Sequence, residues 1–416
     1  MPYANYLPDE LLLEIIALIE LWEIKERQPS LARFCAVNRQ WYDVGIQRLY
    51  DSPYLPGGRY ELFVRTVCPS VLAHIKPSAL AGLVRVLDLS YIVHNSTKST
   101  TARLLGRTKS SLQTFIAPQA SFAINCFASL SKCTKLLILD LSLVSECISF
   151  QSLNQTVRQL PLLRELYLPR CSSRNEANPN SGMNIQWPPA LRHLSLSGSV
   201  SAAFLWDMLR QPAHFPPSMC SLSVVHCVGL DHRGIKPLLC NLGHLTVVEL
   251  RDLPAVKHGR FNSVLDWLPN LVQLTVALDY IDSRFGNMPP GFSASRWMEA
   301  KPLQTLTLVT SGQTGIDPSR SFTAVDLYAL IDERFLGRLR YVNIAKSTEW
   351  MTVQEGAEVG ALELLMDELD KENWLGRRWH YSSVGPTSTD MKYERWITET
   401  QTGRKMRPRL RILKNR

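Results

Sequence analysis

The sequence lacks most of what would commit a chain to catalysis, export or a membrane. Its nine cysteines are scattered, the closest being seven residues apart (Cys126 and Cys133, Cys220 and Cys227), and no Cys-x-x-Cys occurs. An odd number of unpaired thiols excludes a full disulfide framework and suits a reducing compartment. No apolar run approaches the ~18 residues that a spanning helix needs. The nine histidines form no His-Glu-x-x-His and none neighbours a cysteine pair, so no metal-ligand spacing or Cys/His nucleophile can be traced. There is no Gly-x-Gly-x-x-Gly, no Walker phosphate loop and no Gly-x-Ser-x-Gly elbow. No residue is assigned a catalytic role, and neither cofactor nor metal is expected. Acidic residues close behind Met1 (Asp9, Glu10, Glu14) do not fit a signal peptide, so secretion is not expected and the cytoplasm or nucleus is.

Charge is equally uninformative over most of the chain. The net charge is +9, but residues 403–416 carry seven Lys or Arg and no acid, which leaves 9 − 7 = +2 for the rest. A near-neutral body argues against a protein-wide nucleic-acid surface, and no membrane partner is expected. The 416 residues, 45% hydrophobic and 20% charged, describe a foldable chain with two or more structural units.

What the sequence does have is a repeat. The pattern apolar-x-x-apolar-x-apolar begins at Val84, Leu112, Leu136, Leu163, Leu191, Met219, Leu245, Leu271, Leu303 and Leu339. Successive starts are 28, 24, 27, 28, 28, 26, 26, 32 and 36 residues apart. The fourth and sixth positions lie two apart, so both face one side of a short strand, and the first packs beneath it. One such unit cannot bury its own apolar face, whereas a stack of them makes a continuous core. The repeats at Leu112, Met219 and Leu339 are the most degenerate. Cys171 and Cys227 stand three residues past the last core position of their strands. The period and these cysteines resemble leucine-rich repeats, with insertions in the last two spacings. Helices are expected between strands, for example over 201–209 and 261–268.

Residues 7–50 do not follow the repeat. Pro8, Asp9 and Glu10 suit the first turn of a helix that carries Leu7, Leu11, Ile15 and Leu18 on one face. A second helix is expected over 30–37, with Leu31 and Phe34 on one side. The charged stretch 21–29 reads as a loop between them. Leu7-Pro8-x-Glu10-Leu11, then Val37-x-Arg39-x-Trp41, then Leu49-Tyr50 resemble an F-box, and the Leu-Tyr ending is common in fungal members. The resemblance implies a three-helix motif that docks on a Skp-type adaptor and, through it, a cullin and a RING subunit. Leu7, Pro8, Leu11, Ile15, Leu31, Val37 and Trp41 would bury against that adaptor.

The expected fold class is therefore α/β: a three-helix F-box (1–55), a helical linker (56–80), a leucine-rich-repeat solenoid of about ten repeats (81–348), a C-terminal helical cap and loop (349–402) and a basic tail (403–416). Residues 359–374 read as an amphipathic, acidic helix closing the solenoid. The basic end has several readings: a nuclear-import signal, an RNA or acidic-partner contact, a solvated tail or a last edge strand.

The expected function is that of a non-catalytic substrate adaptor of a Skp-cullin-F-box ubiquitin ligase, with an unidentified protein substrate on the repeats. An F-box scaffold working outside a ligase is the alternative, and a hydrolase or transferase with its site on a repeat loop is a more distant one. On each strand the third, fifth and seventh positions point away from the core. They include Asp88, Asp140, Tyr167, His193, Glu249, Arg251 and Tyr341, the candidate substrate face. Arg251 is the only Arg or Lys at those positions in the ten repeats, so a phosphate-reading cluster is not expected there and a polar or weakly basic segment is. Arg170, Arg174 and Arg284 lie on loops near that face.

Overall fold

A computed structural model describes residues 7–69, 78–92, 97–169, 172–173, 185–198, 200, 202–210, 215–292, 299–313, 320–348, 350, 356–382 and 392–413. Contacts divide the chain into two units, Met1–Ser199 with Asp207–Met219, and Val200–Trp206 with Cys220–Arg416.

The first unit opens with α1 (Asp9–Glu20), α2 (Ile24–Cys35) and α3 (Arg39–Asp51), followed by α4 (Gly58–Val67). Pro8 lacks the N–H that a first helical turn leaves unbonded and so tolerates the start of α1. Asn38 caps α3, its Oδ1 accepting from the Trp41 amide at 3.0 Å. One expectation is corrected here. The stretch 21–29 is no loop: α2 begins at Ile24, and only 21–23 separate it from α1. Leu31, Phe34 and Cys35 give that helix its buried stripe while Lys25, Glu26 and Arg27 fall elsewhere on it. Gln28 Nε2 then ties the helix to α3 by donating to the Leu49 carbonyl at 3.0 Å. The buried face of α1 is Leu12, Ile16 and Ile19, not the stripe through Leu11 and Leu18. The helix is apolar on two sides, and packing selects one.

This three-helix core is tight. A Cβ on Gly45 would meet Phe34 Cδ1 at 2.8 Å and Cys35 Sγ at 2.9 Å, which ring and thiol cannot both escape. Gly45→Ala is expected to cost about 1–3 kcal/mol, read as a lower denaturation midpoint of the first unit.

The rest of the first unit alternates strand and helix: β1 (Val86–Asp88), α5 (Lys98–Thr108), β2 (Thr114–Ile116), α6 (Phe127–Leu130), β3 (Ile138–Asp140), β4 (Ile148–Ser149), α7 (Phe150–Val157), β5 (Glu165–Tyr167), β6 (Ser172–Ser173) and β7 (His193–Ser197). Strands β1, β2, β3, β5 and β7 form a parallel sheet in that order, and β4 pairs with β6. α8 (Ala202–Arg210) is divided between the units. The second unit continues with β8 (Ser221–Val225), α9 (His232–Asn241), β9 (Val247–Arg251), α10 (Val264–Trp267), β10 (Gln273–Ala277), β11 (Thr305–Val309), α11 (Ala324–Asp332), β12 (Tyr341–Ala345), α12 (Gly356–Ser382), α13 (Tyr393–Glu399), α14 (Gln401–Met406) and β13 (Arg409–Leu413). Its strands β8 to β13 are parallel and in sequence order.

Every core position of the ten repeats is at most 3% exposed, including those of the degenerate repeats at Leu112, Met219 and Leu339. Neighbouring repeats are joined at the second position, whose carbonyl accepts two amides from the next repeat. Arg85 O takes Gln113 N and Thr114 N at 2.7 and 2.9 Å, and Gln113 O takes Leu137 N and Ile138 N at 2.7 and 3.0 Å. The second unit repeats the device: Thr246 O takes Val272 N and Gln273 N, and Gln304 O takes Arg340 N and Tyr341 N.

Burial also silences thiols. Cys227 is fully buried, its Sγ 3.5 Å from the Val225 carbonyl, as its place in the repeat implies; Cys171 lies outside the described residues. Burial pushes the thiols of Cys133 and Cys227 up to about 12. Both stay protonated at pH 8, and the thiolate is the reactive form. Exposed Cys147 and Cys240 are expected to take up a thiol reagent in the native protein while Cys133 and Cys227 do not, as read by mass spectrometry of the digested protein.

The end of the chain departs most from expectation. α12 is not a cap over the last strand. It lies between β12 and β13 in the chain, runs against α11, and buries Val359, Leu362, Leu365, Met366 and Leu369, so it serves as the helix of one more repeat. Of the readings of the basic end, residues 409–413 take that of a last edge strand: β13 pairs with β12 from Tyr341↔Arg409 to Ala345↔Leu413.

Candidate protein-binding surfaces

The unused apolar stripe of α1 is the first candidate. Leu11, Ile15, Leu18 and Trp22 recur at helical spacing, with Leu11 46% and Leu18 61% exposed. Gln40 Nε2 donates to both the Leu7 carbonyl and Asp9 Oδ1 at 2.8 Å, which brings the start of α3 to the start of α1. Val37, in the turn just ahead of α3, is 56% exposed. A solvated apolar stripe of this kind is a candidate interaction surface.

The seven residues expected to meet an adaptor divide into two groups. Pro8, Leu11 and Val37 are exposed. Leu31 is 2% exposed and belongs to the core of the three helices, with Leu7, Ile15 and Trp41 packed partly against that core. The Trp41 ring stacks against Phe34 with centroids 4.5 Å apart. Leu31 therefore shapes the surface from behind. Gln40 was missed: it is the variable residue between Arg39 and Trp41, and nothing in the sequence marks its two hydrogen bonds. Leu13 and Trp22, both exposed on α1 and just beyond it, were missed as well.

The strand-lined face is the second candidate, and much of its polar chemistry is already engaged. Asp88 Oδ1 and Asp140 Oδ1 accept from the amides of Ser90 and Ser142 at 2.9 and 2.8 Å, fixing the turn after each strand. In the first unit Tyr167 donates to Glu165 at 3.0 Å and packs on His193 at 4.9 Å. In the second, Arg251 Nε meets Glu249 Oε1 at 2.6 Å, and Ser223 Oγ donates to Glu249 Oε2 at 2.8 Å. Asn343 Nδ2 donates to Thr307 Oγ1 at 3.0 Å, and Tyr341 donates to the Lys405 carbonyl. Two fifth-position side chains are not open as expected: Ser195 and Ser223 are buried, being short residues beside the larger Tyr167 and Glu249 that pair with them in register. Arg170 and Arg174 lie outside the described residues.

The eleventh strand changes the charge of this face. In register, Arg409 and Arg411 fall on the side of Tyr341 and Asn343, so two further arginines join Arg251. Among the described residues no group of His, Cys, Asp and Glu has the arrangement of a metal site, and no helix is long and apolar enough to cross a membrane.

No family model matches the chain. It is similar to the F-box protein YDR306C of Saccharomyces cerevisiae, 28% identical over 385 residues that span 89% of this chain and 76% of that protein. It is also similar to Protein pof5 of Schizosaccharomyces pombe, 29% identical over 256 residues, 61% of this chain and 68% of that protein. The Leu7-Pro8 opening, the three-helix unit behind it and a relative named for the motif along most of the chain together support an F-box protein with a parallel-sheet repeat body.

Proposed function

We propose that the chain is a substrate-recognition adaptor of a Skp-cullin-F-box ubiquitin ligase, working in the cytoplasm or nucleus. The observation that carries this reading is the solvated Leu11–Leu18–Val37 surface on a helical unit whose core is complete without it. A Skp-type adaptor would cover that surface and connect the chain to a cullin. Substrate proteins would bind the strand-lined face of the repeats. The chemistry is proximity: the complex raises the effective concentration of a substrate lysine near the loaded conjugating enzyme, and no bond is made or broken by this chain.

The test is affinity purification of the full-length chain. Recovery of both a Skp-type adaptor and a cullin supports the reading. Recovery of the adaptor without a cullin supports a scaffold outside a ligase, and recovery of neither removes both.

A further inference from the structure

We propose that β13, with α14 behind it, is the docking edge for an acidic, extended segment of a partner protein in which acidic and apolar residues alternate. This deepens the reading of the repeats as the substrate-binding part and rests on it.

Four observations converge. First, β13 is last in the strand order, so among the described residues one of its sides has no strand partner. The Arg409 amide donates to the Arg340 carbonyl at 2.8 Å, toward β12. By the alternation of a parallel ladder, the amides of Leu410 and Ile412 then point to the open side, where an incoming strand would bond them.

Second, the edge is cationic on one face. Arg404, Lys405, Arg407, Arg409 and Arg411 fall within eight residues with no acid among them. Arg404, Lys405, Arg409 and Gln401 line an open hollow of about 570 Å³.

Third, this charge is held in place without being neutralised. Arg409 Nη2 donates to the Arg404 carbonyl at 2.9 Å, and Arg404 Nη2 to the Glu399 carbonyl at 3.2 Å. Carbonyls fix a guanidinium yet leave its charge intact. Among the described residues no carboxylate forms an ion pair with Arg404, Lys405, Arg409 or Arg411. The acids nearby, Glu363 and Asp367, line a second hollow of about 310 Å³ with Arg407, Pro408, Arg409, Leu410 and Arg411, and Arg407 faces Asp367.

Fourth, the opposite face of the strand is apolar and open, with Ile412 exposed. An added strand would set every second side chain beside Arg409 and Arg411 and the others beside Leu410 and Ile412. Strand addition supplies affinity through the backbone, and the alternate side chains supply the choice of partner. Alternating acidic and apolar residues satisfy both faces.

The test is fluorescence polarisation with the full-length chain and labelled ten-residue peptides. An alternating Glu-Val peptide is expected to bind. A Gln-Val peptide, and a block peptide of five Glu followed by five Val, are expected to bind at least tenfold more weakly. The double variant Lys405→Gln, Arg411→Gln removes two charges whose side chains form no hydrogen bond or ion pair among the described residues. It is expected to keep its melting temperature and lose at least tenfold in Glu-Val binding. Ile412→Pro, which removes an outward N–H at an edge that tolerates proline, should lose binding with every charge in place.

No binding of the Glu-Val peptide overturns the proposal, as does equal binding of the block peptide or unchanged binding by either variant. It is also overturned if a phosphoserine-Val peptide or a single-stranded RNA binds tenfold tighter than Glu-Val. A dimer of the full-length chain that the double variant dissolves would show that a second copy occupies the edge. Capture of the adaptor and cullin is expected to be unchanged in these variants, so a failed peptide test leaves the ligase reading standing on its own experiment.

Discussion

Replacing Leu11 and Val37 together by Asp is expected to abolish capture of a Skp-type adaptor, with affinity falling by a factor of about 100 or more, roughly 2.7 kcal/mol. Both side chains are half exposed, so ionised carboxylates there remain hydrated in the free protein and the melting temperature should hold. Covered by a partner's apolar surface, the same carboxylates would lose their water with no compensating charge, a cost of several kcal/mol. Leu31→Ala is the contrasting variant. Leu31 is interior to the three helices, so its truncation should destabilise the unit by about 2–5 kcal/mol. Adaptor capture that survives the double Asp variant would show that the exposed stripe is not the docking surface.

Asp370→Ala is expected to be the most destabilising single change in the second unit. Asp370 is 4% exposed on α12, its Oδ1 lying 3.7 Å from Arg340 Nη2 while its Oδ2 accepts from the Tyr393 hydroxyl at 2.9 Å. Arg340 is itself well buried and donates to the Met406 carbonyl at 3.1 Å, so this cluster links β12, α12, α13 and the entry to β13. Removing one partner leaves a buried guanidinium uncompensated, which costs about 3–5 kcal/mol. The burial that raises the Tyr393 pKa keeps its hydroxyl protonated, so the donor persists through neutral pH. Denaturation should show a large loss of stability, and hydrogen exchange should show residues 393–413 opening first. A cost below about 1 kcal/mol would mean that the C-terminal strand is held by its backbone pairing alone.

The repeat core was legible because its signal is geometric. Thirty positions at fixed offsets must be apolar if the strands stack, and degenerate choices such as Ala117 and Met219 still fill them. The eleventh strand was legible as one reading of the basic end but not as a further repeat, for a reason of the same kind. Its fourth and sixth positions are Leu410 and Ile412, but its first position is Arg407, which breaks the pattern, and 68 residues separate it from Leu339 (407 − 339). In α1 the difficulty was the reverse, since both the Leu11–Leu18 and the Leu12–Ile19 stripes satisfy helical spacing. Only α2 and α3, arriving on one side, decide which is core and which is left in solvent. The polar pairs of the strand face, such as Glu249 with Ser223, depend on cross-strand register, which no local pattern encodes.

The double-acceptor carbonyls between repeats have a consequence for how such a chain can change over generations. The joint uses backbone atoms alone, and its position is held in turn by Arg85, Gln113, Leu137, Arg164, Cys220, Thr246, Val272 and Gln304. Those side chains share no charge, size or polarity, so mutation there is free to drift. Duplicating or deleting one whole repeat would rejoin the same carbonyl to the same pair of amides, whereas a single-residue insertion between the first and sixth positions would turn core side chains outward. The array can therefore lengthen or shorten only in whole units, while the stretches between strands, 32 and 36 residues from start to start near its end, are where new sequence can enter at little cost.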